Sequence, residues 1–215
     1  MPPKRSRPTA IVYIDGLNLY HSNLRKKPEH KWLDLMKLVE LHIPDLEILK
    51  VHYFTAIVSS KISDPLAPTR QKSYLRALES LGDKITLHHG RMRIEEIGLT
   101  LKDPAKTKVK AYKATEKESD VGLASQMVHD AHTTEADYLI LLSNDTDFSP
   151  ALRLIKNHTN KKIGLVCPNT KVAGDLAATN LDKVWILDST KFGDAQLPPS
   201  VKDEFGEVTK PSSWV

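Results

Sequence analysis

The 215-residue sequence predicts an α/β protein, a three-layer α/β/α sandwich around a mainly parallel sheet. Short apolar runs rich in β-branched residues, among them Thr9 to Ile14, Tyr138 to Leu142 and Ile163 to Val166, have the composition of strands covered on both faces. Stretches of helical apolar periodicity lie between them. Parallel strands need crossover connections, and crossover helices cover both faces of the sheet, so the alternation of the two patterns points to this class.

Thr9 to Ile14 is the first strand, and it ends at Asp15-Gly16. Trp32, Leu35, Met36, Val39 and Ile43 follow at offsets of 0, 3, 4, 7 and 11, one face of an amphipathic helix that Pro44 closes. Leu46 to Val58, with Tyr53 and Phe54 near its middle, is a second strand. Ser59 to Thr69, with Pro65 and Pro68, is an irregular loop; Tyr74, Leu75, Leu78 and Leu81 mark a helix that Gly82 ends. Ile85 to His88 is a third strand.

From Gly90 to Glu118 the pattern weakens. Ile97 to Leu101 and Val109 to Tyr112 flank a lysine-rich turn with Pro104, so a hairpin or mobile arm is expected over about 97–117. Val121, Ala124, Val128 and Ala131, at offsets of 0, 3, 7 and 10, give the stripe of a helix that Asp120 begins. Ser149-Pro150 supplies an N-cap and a first-turn proline for a helix from Ala151 to Asn157, and Val184 to Leu187 is the last strand. The chain thus divides into a basic arm (1–8), one domain (9–189) and an extended tail (190–215) rich in Pro, Gly and charge, whose Trp214 is a candidate to dock on the body.

Hydrophobic residues at 40% and charged residues at 27% suit a globular chain and exclude wholesale disorder or a fibrous architecture. No apolar run approaches the roughly 20 residues of a membrane span, and the N-terminus lacks the apolar stretch of a secretion signal. The expectation is a soluble, cytoplasmic protein with no membrane partner. The single cysteine, Cys167, excludes a disulfide or a thiolate metal cluster within the chain, so any metal must use oxygen or imidazole ligands. A net charge of +4 leans basic. Its distribution says more: Lys102, Lys106, Lys108, Lys110, Lys113 and Lys117 fall within sixteen residues, and Lys4, Arg5 and Arg7 mark the N-terminal arm. Such a run is either a solvated loop or a phosphate-binding arm, to which Arg70, Lys72, Arg76, Arg91 and Arg93 could add a positive track.

Ligands of open α/β sheets bind in the crevice beyond the carboxyl ends of the strands. Asp15, with Asn18 three residues on, follows the first strand; Asp145 and Asp147 follow Tyr138 to Leu142; Asp120 begins a crossover helix from the same edge. Each has a bland alternative: a turn at Asp15-Gly16, a helix cap at Asp120, a self-bonded loop from Ser143 to Asp147. Their coincidence on one edge favours a shared role. Carboxylates gathered within a few ångströms repel one another and take up protons unless a cation sits among them, and hard oxygen ligands suit Mg²⁺ or Mn²⁺.

At these residues the sequence resembles the NYN family, a branch of the PIN-like nucleases that includes LabA-like proteins. The matching stretches are Ile14-Asp15-Gly16-Leu17-Asn18-Leu19-Tyr20, Lys117-Glu118-Ser119-Asp120-Val121 and Leu142-Ser143-Asn144-Asp145-Thr146-Asp147-Phe148-Ser149-Pro150. The resemblance implies a PIN-like fold and Mg²⁺- or Mn²⁺-dependent cleavage of RNA, single-stranded RNA being the expected partner. It implies Asp15, Asp120 and Asp145 as metal ligands, Asn18 and Asp147 as catalytic supports that touch the metal or hold its ligands, and Ser143 and Asn144 as polar lining for substrate. Lys108, Lys110, Lys113 and Lys117 are the candidate phosphate contacts. Two departures stand out. Asn144 replaces the family's usual glycine, and Gln126 stands where many members carry a further acid, which favours one metal over two. Asp130, ten residues past Asp120 and so about 80° off its helical face, is read as structural.

A haloacid-dehalogenase-type phosphatase wants a second aspartate where Leu17 stands, and a Toprim-like site wants a glutamate where Asp15 stands. The competing reading from another class is an RNA-binding or regulatory module that keeps the acidic pocket but cleaves little or nothing. The nine histidines show no metal-ligand spacing on a helix and are read as surface or core residues. Cys167 has no neighbouring histidine in sequence to activate it. Oligomeric state is not fixed by the sequence, a dimer being one option.

Overall fold

A computed structural model describes residues 7–62 and 64–215. Lys4 and Arg5 of the expected basic arm lie outside the described residues, while Arg7 donates to the Pro44 carbonyl. The chain runs β1 (Thr9–Asp15), α1 (Gly16–Leu19), α2 (Leu35–His42), β2 (Glu47–Ala56), α3 (Ala67–Glu79), β3 (Ile85–Thr100) and β4 (Lys108–Lys117). It continues through α4 (Ser119–Thr133), β5 (Tyr138–Leu142), α5 (Ser149–His158), β6 (Lys162–Cys167), α6 (Gly174–Ala177), β7 (Lys183–Ile186), β8 (Ser200–Asp203) and β9 (Gly206–Thr209). Seven strands form one sheet in the order β4-β3-β2-β1-β5-β6-β7. All neighbours are parallel except β3 and β4.

The central strand β1 is buried at every position, as its unbroken apolar run requires. On one face Leu35, Leu38 and Val39 of α2 pack with Tyr74, Leu75 and Leu78 of α3. On the other, Leu123 and Met127 of α4 pack with Leu152 and Ile155 of α5. The three-layer sandwich is therefore realised. Chain order reverses between β1 and β5, since β2 lies on one side of β1 and β5 on the other, and the crevice at such a switch point is where this class of sheet accommodates ligands.

Two segments depart from the sequence reading. The third strand does not stop at His88 but continues to Thr100 and pairs antiparallel with β4 from Arg91↔Lys117 to Thr100↔Lys108. The last β2–β3 pair is Ala56↔Gly90, so the hairpin projects past the carboxyl edge of the parallel sheet. At about 3.3 Å per residue the projection is on the order of 30 Å. The hairpin expected over about 97–117 is thus present, and it begins earlier, where exposed Arg91, Arg93 and Glu95 alternate with half-buried Met92 and Ile94.

The expected extended tail is the second correction. Residues 190–215 fold back onto the α2/α3 layer, where Phe192, Ala195, Leu197, Val208 and Trp214 are buried. Trp32 explains this: its indole donates to the Pro198 carbonyl, the Leu197 amide donates to the Trp32 carbonyl, and its ring centroid lies 6.2 Å from that of Trp214. Arg76 adds a two-pronged bond to Asp203, which removes it from the expected positive track. Pro and Gly here mark turns of a packed strap rather than lack of structure. Among the described residues no helix is long and apolar enough to cross a membrane.

Trp214→Ala should lower the unfolding free energy by about 3 kcal/mol or more, as for other buried aromatic truncations. Phe205→Ala, at a side chain 79% exposed, should change it by no more than about 0.5 kcal/mol in the same urea titration. Equal effects would mean that the strap does not pack as described.

Candidate functional site

The β1–β5 register fixes the site. Ile14 lies opposite Leu142, so Asp15 and Ser143 leave adjacent strand ends side by side. The Ser143 hydroxyl donates to Asp15 Oδ2 at 2.9 Å, and the Asn18 amide donates to Asp15 Oδ1 at 2.9 Å as the chain turns into α1. Gly16 permits that turn: a Cβ there would lie 2.6 Å from the Phe54 carbonyl. Asp15 is only 7% exposed, and burial pushes its carboxyl above the usual range although both hydrogen bonds oppose the rise. Its two oxygens offer about four lone-pair sites, so these bonds leave acceptor capacity free.

Ser143 is completely buried. It is therefore not the lining residue that the resemblance implied: its Oγ braces Asp15 and also accepts from the Asp145 amide. Asn144 is likewise a clamp. Its amide donates to Asn18 Oδ1, while its own side chain bonds the Lys171 carbonyl and the Ala173 amide. A glycine at this position could hold neither, so the departure from the family pattern ties the β6–α6 loop to the site. Asp145 caps the turn that follows β5 by accepting from the Asp147 amide, and Asp147 faces solvent.

Asp120 reaches the same edge from the other direction. Glu118 takes φ 82°, a left-handed conformation uncommon for a residue with a side chain, and so turns the chain abruptly from β4 into α4. Asp120, exposed in the first turn of α4, is raised to a pKa of about 6, by partial desolvation first and then by the charges of Asp15, Glu116, Asp145 and Asp147. Glu116, which caps the Ser119 amide, is an acid that sequence reading missed; it stood in the lysine run with nothing to mark it. Among the described residues, however, no three His, Cys, Asp or Glu side chains stand close enough together to form a ready-made cage for an ion. The acids feel one another's charge without being assembled.

The lysines separate by strand parity. Lys108 and Lys110 share the face of Glu116 in β4, whereas Lys113 and Lys117 alternate to the opposite face with their partners Glu95 and Arg91. All four are exposed, and Lys110 pairs with Glu96 at 2.8 Å. Arg70 and Arg93 are paired locally with Asp64 and Glu95, so the broader positive track is not continuous. Cys167 is buried and burial pushes its thiol up, consistent with an inert side chain.

Residues 9–181 match the NYN domain, covering the strand ends and all the acids just described. The chain belongs to the NYN domain family. That membership makes it nuclease-like. A relative in Pseudomonas putida, named 6-hydroxy-3-succinoylpyridine 3-monooxygenase HspA, is 33% identical over 245 aligned positions, which cover 99% of this chain and 76% of the relative. A crystal structure of a Vibrio parahaemolyticus protein of unknown function superposes with a TM-score of 0.54 at 17% identity, covering 90% of this chain and 99% of that one, and at that identity shows the shared fold alone. This NYN chain also carries histidines that sequence reading set aside. His52 on β2 and His88 on β3 meet through a ring-nitrogen contact of 2.9 Å behind α4, although strands far apart in sequence supply them.

The raised carboxyl of Asp120 has a stability consequence with a definite sign. Between the model-peptide aspartate value of 3.8 and its folded value of about 6 the native state holds more protons than the unfolded chain, so stability falls as pH rises through that window. Asp120→Asn should therefore raise the melting temperature at about pH 7 and lose that advantage at about pH 3, below both values. A gain of the same size at both pH values would show that charge repulsion is not its origin.

Proposed function

We propose that this NYN chain is a divalent-metal-dependent ribonuclease acting on single-stranded RNA at the Asp15, Asp120, Asp145 and Asp147 edge. The carrying observation is the convergence of these carboxylates at the sheet's switch point, where desolvation first and then the charges of Asp15, Glu116, Asp145 and Asp147 raise the pKa of Asp120. A structural role leaves such repulsion without purpose. The all-oxygen donor set fits Mg²⁺ or Mn²⁺, which keep several waters and bind through one or two carboxylates plus substrate phosphate, so they do not require a three-carboxylate cage. Asp15, Asp120 and Asp145 are the residues to hold such an ion, which when bound supplies charge neutralisation at the phosphate and a more acidic water.

The protein's own part is positioning. Ser143 and the Asn18 amide hold the Asp15 carboxylate, the Asp147 amide holds Asp145, and Asn144 keeps the neighbouring loop against the strand ends. The β3–β4 hairpin projects from the same edge, and Lys108 and Lys110, on the Glu116 face, would meet the RNA backbone ahead of the site.

Purified protein incubated with single-stranded RNA under Mg²⁺ or Mn²⁺ should cleave it, with activity lost in EDTA and reduced at least about 100-fold in Asp145→Asn. Lys108→Glu with Lys110→Glu should weaken RNA binding and flatten its salt dependence more than the same reversals at Lys113 and Lys117. RNA bound but never cut would leave the regulatory-module reading. Cleavage persisting in EDTA and in Asp145→Asn would remove the acids from the reaction.

A second reading, hydroxylation of a pyridine ring, is favoured by one observation: the relative named as a monooxygenase matches 99% of this chain, beyond the limits of the NYN match. Incubation with 6-hydroxy-3-succinoylpyridine, air and a reduced nicotinamide distinguishes it. Consumption of the pyridine together with oxygen, and inert RNA, would favour this reading over the nuclease.

A further inference from the structure

A groove of about 540 Å³ lies beside the acids, between the start of β3 and the exposed side of α4. His88, Phe54, Gly90, Ser119, Gln126 and His129 are among the residues that line it. Behind it a polar chain is buried. Asp130, 5% exposed, accepts from the Tyr13 hydroxyl at 2.7 Å and from the Gln126 amide at 3.0 Å, and His52 Nε2 faces its Oδ2 at 3.6 Å. His52 Nδ1 in turn meets His88 Nε2 at 2.9 Å. Burial lowers the pKa of His52 to about 4 and lowers that of His88 as well, so both rings are neutral near pH 7.

A neutral imidazole has one N–H and one lone pair, and that rule orients the whole chain. The carboxylate of Asp130 favours the His52 proton on Nε2. His52 Nδ1 is then the acceptor, His88 Nε2 must donate to it, and His88 Nδ1 is left as a lone pair. Among the described residues nothing is bonded to that nitrogen. The ring cannot readily turn away, because Phe54 stacks on it with centroids 4.1 Å apart and planes 7° apart.

Ser119 supplies the complement. It is 7% exposed, its hydroxyl has no hydrogen-bond partner among the described residues, and it lies against Gly90, where a Cβ would stand 2.4 Å from it. Gly90 follows His88 by two positions on the same face of β3, about 7 Å along the strand. His88 and Ser119 both line the groove, so a fixed acceptor and an unsatisfied hydroxyl belong to the wall of one ligand-sized space.

We propose that this groove is a binding site for a planar nitrogen heterocycle that donates an N–H to His88 Nδ1 and accepts the Ser119 hydroxyl through an adjacent carbonyl. A uracil-type ring has this edge, whether it comes as a free small molecule or as a base of RNA lying over the acids. The site does not depend on the acids cleaving RNA.

Uridine is the probe, and histidine side-chain ¹⁵N spectra read the site directly. Free protein should show His88 protonated on Nε2 and bare on Nδ1, and uridine should shift the Nδ1 resonance saturably. The 3-methyl derivative of uridine, which lacks the donor, should not, and Ser119→Ala should weaken uridine binding roughly fivefold. A short oligouridine titrated into Asp145→Asn forms the second arm, with cleavage scored separately on wild-type protein. A shift with free uridine assigns a small-molecule ligand and a shift with oligouridine alone assigns a base of RNA; both support the site, whatever the cleavage result. A proton on His88 Nδ1 in the free protein, an unmoved resonance in both arms, or equal binding of the methylated probe would overturn it.

Discussion

The hydrogen bond from Ser143 to Asp15 is the constraint on which the rest of the site depends. A carboxylate at the end of a fully buried strand is costly to desolvate, and the structure offsets that cost with two donors rather than with a cation side chain. Both donors come from the backbone and side chains at the β1–β5 switch point. Holding Asp15 therefore also fixes where β5 ends, where Asp145 starts its turn and, through Asn144, where the β6–α6 loop lies. The acidic edge is a consequence of strand register before it is a matter of chemistry.

On that edge the charge balance is unfavourable as it stands. Asp120 and Asp15 are both pushed toward their neutral forms, yet among the described residues no lysine or arginine is brought in to relieve them, and the cations nearest in sequence are carried outward on the β3–β4 hairpin. A site that keeps its negative charge unrelieved and its positive charge on a projecting arm is arranged for something that arrives from solution. Metal and nucleic acid meet that description together. Family membership makes the nuclease-like reading the natural one, while the relative named as a monooxygenase shows that near-complete coverage at moderate identity can carry a different chemistry in its name.

Beside the acids, α4 serves two neighbourhoods. Its first turn carries Asp120 to the acidic edge, and two to three turns later Gln126 and Asp130 anchor the buried histidines. Gln126, which departs from the family's usual acid, is thus not an empty position: its amide satisfies Asp130, which an added carboxylate would instead repel. The substitution trades a possible ligand on the acidic edge for a satisfied polar chain behind the groove.

The sequence by itself determined the layers, the strand and helix order, and the three acidic motifs, because buried parallel strands and their crossover helices write local periodicities and because chemistry at the carboxyl edge sits immediately after each strand. It also marked Asp130 as lying off the face of Asp120. Tertiary structure alone decided the rest. The full length and pairing of the hairpin, and the course of the strap ending in Trp214, are decided by their partners: β3 against β4, and Trp32 beneath the chain from Leu197 to Trp214. Ser143 looked like a lining residue until its burial showed it turned inward as a brace, and half-buried Asn144 ties down the β6–α6 loop. His52 and His88 are ordinary residues in their own strands, and they become a pair because parallel register sets Phe54 opposite His88 and leaves His52 diagonal to it on the same face. Local pattern fixes which face a residue takes; which distant residue waits on that face is decided by packing.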